Sequence, residues 1–168
     1  MRSLALSALL TLAPAAAGAQ LAPRSIALEL GFTRESAPAL GDRAPLALAA
    51  SWWIAEDADL TARVAFGFAA RTAGRAAGAL YEAGFGLRRT FGGGAVRPFA
   101  AIDAAFLQAS TGPTLAWEQG LRLAASAGLE VFPARDLSVA VAAAGGEALL
   151  ASGSGPSVGV TVRLAGYF

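Results

Sequence analysis

Ser157–Phe168, SVGVTVRLAGYF, alternates without a break. Val158, Val160, Val162 and Leu164 share one parity. Gly159, Thr161, Arg163 and Ala165 share the other. Successive side chains on a strand point to opposite faces, so this segment reads as a strand with one apolar and one small or polar face. It runs to a terminal aromatic, Phe168, on the apolar parity. Chain ends in water tend to fray, and a soluble protein seldom places a bulky aromatic there. The segment therefore predicts a strand that stays paired to its last residue.

The rest of the chain repeats the pattern. Segments of roughly ten alternating residues are separated by turn residues, the signature of a membrane barrel built from strands. Eight can be counted: 25–33, 45–54, 60–69, 79–90, 98–107, 117–131, 137–144 and 157–168. The connections 34–44, 70–78, 108–116 and 145–156 read as long. Those at 55–59, 91–97 and 132–136 read as shorter. Long and short connections alternate with strand direction, which predicts short periplasmic turns, longer external loops and both termini in the periplasm. With that topology Phe32, Phe66, Phe68, Tyr81, Phe106 and Trp117 fall at the outer end. Trp52, Phe91, Phe132 and Phe168 fall at the inner end, with Phe99 nearby on the inward parity. Two aromatic belts are what bilayer interfaces select.

Composition narrows the function. The chain has 168 residues, 55% of them hydrophobic, and a net charge of +1. That charge offers no electrostatic case for nucleic acid. Without cysteine there is no disulfide framework and no thiolate metal site. Without histidine the commonest general base and zinc ligand are missing. Residues 1–19 read as a signal peptide: Arg2, an apolar run from Leu4 to Leu12, and Ala17-Gly18-Ala19 as an A-x-A cleavage site. The barrel domain is then 20–168, with no cofactor expected.

The charged residues bear on which face is which. Glu29, Arg63, Glu82, Arg88, Asp103, Glu118, Arg122, Glu130 and Arg163 all lie on the non-apolar parity of their strands. In a soluble ligand-binding barrel they would form a solvated exterior around an apolar core. Yet that face is rich in Gly, Ala, Ser and Thr, and every basic residue is Arg, none Lys. Small residues suit the crowded bore of an eight-stranded barrel. Arg forks suit the bridging of carboxylates inside it. The expectation is an apolar exterior and a salt-bridged bore that acts as a plug, with a narrow solute channel as the alternative.

A cleaved signal, eight amphipathic strands, a charged small-residue bore and a terminal Phe resemble the OmpA/OmpX-type small outer-membrane barrels. The resemblance implies an all-β, eight-stranded antiparallel up-and-down transmembrane barrel in the cell outer membrane. It implies that Val160, Val162, Leu164 and Phe168 form the insertion signal read by the barrel-assembly machinery. Gly166 stands where that pattern prefers a bulky residue. It implies outer-membrane lipid as surroundings and leaves the partner of the outer loops unknown. No appended periplasmic domain is seen, so peptidoglycan anchoring is not implied.

Catalytic motifs fare poorly. Gly155-Pro156-Ser157-Val158-Gly159 matches G-x-S-x-G, but a nucleophile elbow needs a strand-to-helix turn and a His base. The outer-membrane barrel deacylases, palmitoyltransferases and proteases resemble the chain in shape, and each uses an active-site His. Gly92-Gly93-Gly94 lacks a following Lys and reads as a turn. Glu56, Asp57 and Asp59 read as a solvated turn before a weak Ca²⁺ site. The reading is a non-enzymatic barrel with a structural or surface-interaction role.

Overall fold

A computed structural model describes residues 24–37, 40–69, 78–111 and 116–168. The proposed signal peptide lies outside the described residues. Eight strands run in chain order: β1 Ser25–Glu35, β2 Arg43–Ala55, β3 Ala58–Ala69, β4 Ala79–Thr90, β5 Val96–Thr111, β6 Ala116–Ala134, β7 Leu137–Leu150 and β8 Gly153–Tyr167. Each pairs antiparallel with its chain neighbours, and β8 returns to β1 to close the barrel. Closure leaves no sheet edge with open N–H and C=O groups.

The alternation works as the residues require. Bulky apolar side chains point outward on all eight strands, among them Leu28, Leu48, Val64, Phe85, Ile102, Leu123, Val141 and Val162. Small and charged side chains point into the bore, where Ala27, Ala47, Ala140 and Ala165 are buried. Such an exterior cannot be a soluble core turned outside in; it is an apolar belt.

The termini share one end with the β2–β3, β4–β5 and β6–β7 connections. The other four connections lie at the far end. Here the structure corrects the sequence reading. The segment 145–156, expected to be a long loop, is strand for all but Ala151 and Ser152. β7 and β8 stay paired from Gly146↔Ser157 up to Leu150↔Gly153. β5 and β6 likewise lengthen at the expense of 108–116, to Thr111↔Ala116. The connection 34–44 shrinks to 36–42 and that at 132–136 to 135–136. Long and short connections therefore do not alternate throughout. The segments were missed because Gly, Ala and Ser carry little apolar contrast, and because Glu147 takes the outward parity there.

The far end of the bore is closed by apolar groups. Leu80 on β4, Leu107 and Ala109 on β5 and Ala148 on β7 pack with Ala37 and Leu40 from the β1–β2 connection. That connection is pinned by the Ser36 N–H, which donates to the Pro156 carbonyl at 2.9 Å. Gly155 permits the approach: a Cβ there would fall against the Ala37 backbone.

Candidate functional site

Inside the barrel five arginines, Arg43, Arg63, Arg88, Arg122 and Arg163, meet five acids, Glu29, Glu35, Glu82, Asp103 and Glu130. They are arranged in layers. Nearest the far end, Glu35 pairs with both Arg43 and Arg122, and Arg122 reaches on to Glu82. Arg63 links this layer to the next: its Nη1 donates to Glu82 at 3.0 Å and its Nε to Glu29 at 2.9 Å. Arg163 approaches Glu29 from the other side at 3.8 Å.

The layer nearest the termini is organised around Glu130, which is 1% exposed. Arg88 Nη2 donates to one carboxylate oxygen at 2.8 Å. Ser138 Oγ and Tyr167 OH donate to the other at 2.6 and 2.8 Å. The Arg88 guanidinium lies 4.0 Å over the Phe99 ring. Ser25 and Ser51 join hydroxyls at 2.5 Å, and Arg163 Nη2 donates to Ser25 Oγ at 3.4 Å. At the rim Arg24 pairs with Asp59 at 3.0 Å and stacks over Trp53.

Between these layers lies a cavity of about 160 Å³. One wall carries Glu29, Arg63, Asp103 and Arg163. The rest of the lining is mostly small, with Ala101, Ala124, Ala140 and Ala142 beside Ser126 and Thr161. Asp103 lines it and forms no salt bridge with a described residue. The bore is therefore filled at both ends and hollow in the middle, because alanines stand where longer side chains would close it.

Of the charged residues expected in the bore, Glu29, Arg63, Glu82, Arg122 and Arg163 are brought into one chain of ion pairs, and Arg88 with Glu130 into a second. Glu118 sits apart at the far rim, where Ser152 donates to it. Glu35 and Arg43 were placed in a connection by the sequence reading, yet they are central to the first chain. Their signal was parity: each continues the inward set of its strand by one more repeat. Ser25, Ser51, Ser138 and Tyr167 share the inward parity too, but carry no charge that would single them out in the sequence.

Of the aromatic residues expected in two belts, all lie on the exterior except Phe132, which turns to the terminal mouth of the bore beside Glu130 and Tyr167. Phe66 contacts Phe68 edge-on and Tyr81 at 5.2 Å, and Tyr81 contacts Trp117 at 5.7 Å. Phe32 and Phe106 are exposed on the same side of the belt. At the terminal end, Phe91 and Phe168 are exposed, Trp52 is half-buried, and Phe132 packs on Tyr167 under Arg97. Val160, Val162 and Leu164 point outward from β8, which is zipped to β1 and β7 along its length.

Among the described residues the G-x-S-x-G match at Gly155–Gly159 does not form a nucleophile elbow. Ser157 lies within β8, and the described residues form no helix to shape an elbow. Asp57 pairs with Arg89 and Asp59 with Arg24. No cluster of acids among the described residues has metal-binding geometry.

A barrel with this strand number, closure and inside-out polarity matches solved structures along nearly its whole length. The chain has the fold of the small eight-stranded outer-membrane barrels. Neisserial surface protein A superposes with a TM-score of 0.73 at 12% identity, over 86% of this chain and 96% of that one. The outer membrane enzyme PagL gives 0.59 at 11%, over 84% and 99%. The attachment invasion locus protein Ail of Yersinia pestis, solved with the heparin analogue sucrose octasulfate, gives 0.55 at 16%, over 85% and 95%. No family model and no curated protein matches the chain. The small-barrel fold thus carries both an enzyme and proteins of other kinds, and function has to be argued from the bore and the surface.

Proposed function

We propose that the chain is an integral outer-membrane barrel without enzymatic activity, with a structural or surface-interaction role through its far-end connections. The observation that carries this reading is the polarity of the barrel: large apolar groups outside on every strand, ion pairs inside. In water such a surface would aggregate. In a bilayer it is the favourable solution. The far end, with its aromatic group from Phe66 to Trp117, then faces outward, and the termini face the periplasm. Outer-membrane lipid is the surrounding partner, and the terminal strand ending in Phe168 is what the assembly machinery would read.

The bore is a plug in this proposal. Buried charges are tolerated when paired, and both layers are paired. A second reading, a narrow channel, draws on the central cavity alone. The test of the membrane reading is electrophoretic. Protein extracted from an outer-membrane fraction should migrate differently on an SDS gel before and after boiling, since closed barrels resist SDS until heated. A protein that dissolves without detergent and shows no shift would sink the proposal.

A further inference from the structure

Two parts of the bore differ in how they treat water. The central cavity is polar: Glu29, Arg63, Asp103 and Arg163 line it, and Asp103 forms no salt bridge with a described residue. A space of about 160 Å³ with such a lining suits water. The far-end closure is apolar. Ala37 and Leu40 pack with Leu80, Leu107, Ala109 and Ala148, and none of the six is more than 4% exposed. No side chain of that cluster can replace the hydration shell of a passing ion. An apolar constriction of this kind stops conduction by staying dry.

Glu35 and Arg43 flank the connection that carries Ala37 and Leu40, and their side chains are 0% and 2% exposed. They pair with each other, yet Glu35 Oε2 and Arg43 Nε and Nη1 have no hydrogen-bond partner among the described residues. Buried polar atoms left without partners favour a state in which water reaches them. The closed position is held against that preference by the apolar cluster and by the Ser36 N–H, which donates to the Pro156 carbonyl. Resting on the plug reading above, we propose that Ala37 and Leu40 form an apolar gate. Their contact with β4, β5 and β7 governs entry to the central cavity from the far end.

The chain has no cysteine, so a single introduced thiol reports on the cavity alone. Ser126→Cys places one in the lining. Its reaction with 2-aminoethyl methanethiosulfonate, a small cation, is timed on the refolded full barrel in detergent. Two further substitutions unseat the gate. Leu40→Ser removes its leucine. Gly155→Ala leaves every charged side chain in place, but its Cβ would lie 2.4 Å from the Ala37 nitrogen, so that backbone must move away. Leu40→Ser should quicken the reaction by roughly tenfold or more, the change that follows when a closed position loses the burial of one leucine. Gly155→Ala should quicken it too. Tyr167→Phe, which loosens the opposite end of the bore, should leave the rate unchanged. The heat-dependent gel shift is read on every sample, and only barrels that shift are timed. A slow reaction that neither Leu40→Ser nor Gly155→Ala quickens, or one that Tyr167→Phe quickens equally, would overturn the gate and leave the plug standing. A fast reaction with Ser126→Cys alone would overturn gate and plug together.

Discussion

Glu130 holds the terminal end of the bore together, because three donors from three strands converge on one carboxylate: Arg88 of β4, Ser138 of β7 and Tyr167 of β8. Removing the carboxylate leaves a buried guanidinium without its counter-charge, which typically costs about 3–5 kcal/mol. Removing one neutral donor costs nearer ~1 kcal/mol. Glu130→Ala should therefore lower the temperature of the SDS mobility shift well beyond Tyr167→Phe, with Glu130→Gln between them. Equal shifts for all three would mean the layer is not held by charge pairing. At this scale the sequence was legible by parity. Nine charged positions could be assigned to one face because each strand keeps its period. Glu35 and Arg43 escaped because the sequence reading ends β1 at Thr33 and begins β2 at Pro45, two residues short on each side of the connection. Which acid meets which arginine was not legible: pairs such as Arg122 and Glu35 join residues 87 apart in the chain, and only the closed registers bring them together.

Among the elements, β7 and β8 show where periodicity stops informing. Leu137, Val139 and Val141 mark the outward face at the start of β7, but the strand then reads Ala142-Ala143-Ala144-Gly145-Gly146, and Ala and Gly suit either face. The hairpin continues there because its ladder is unbroken to Leu150↔Gly153, and it turns in Ala151-Ser152 with Gly153 at a φ of 142°. That positive φ is a conformation glycine adopts without strain. The number of strands, their order and their faces were readable; the height of the barrel wall at the far end was not. The topology carries a prediction of its own. A short epitope inserted at Ser152 should leave the barrel folded and be labelled by antibody on intact cells. The same epitope at Asp57, in the β2–β3 turn, should be labelled only after the outer membrane is permeabilised. Labelling of both on intact cells, or the reverse pattern, would overturn the proposed orientation.

For the molecule as a whole, the question is whether the layered bore is a plug or a selective lining. The cavity of about 160 Å³ is bounded by the Glu35–Arg122–Glu82 layer and the Leu107 cluster on one side and by the Glu130 layer on the other. A hydrated ion passing through would have to part at least one ion pair at each end and move the apolar closure. Each of these steps is costly in a confined, low-dielectric space. Planar-bilayer recordings of the pure wild-type barrel should accordingly show no stable large conductance. Arg122→Ala removes the residue that ties Glu35 to Glu82. If the bore is a plug, this substitution lowers the temperature of the mobility shift and lets intermittent leak currents appear. If the bore is a lining, the wild type already conducts, and Arg122→Ala changes the ratio of cation to anion current while the mobility shift stays in place. The two readings differ in the wild type and again in the variant, so a conducting wild type with an unmoved shift temperature in Arg122→Ala would sink the plug.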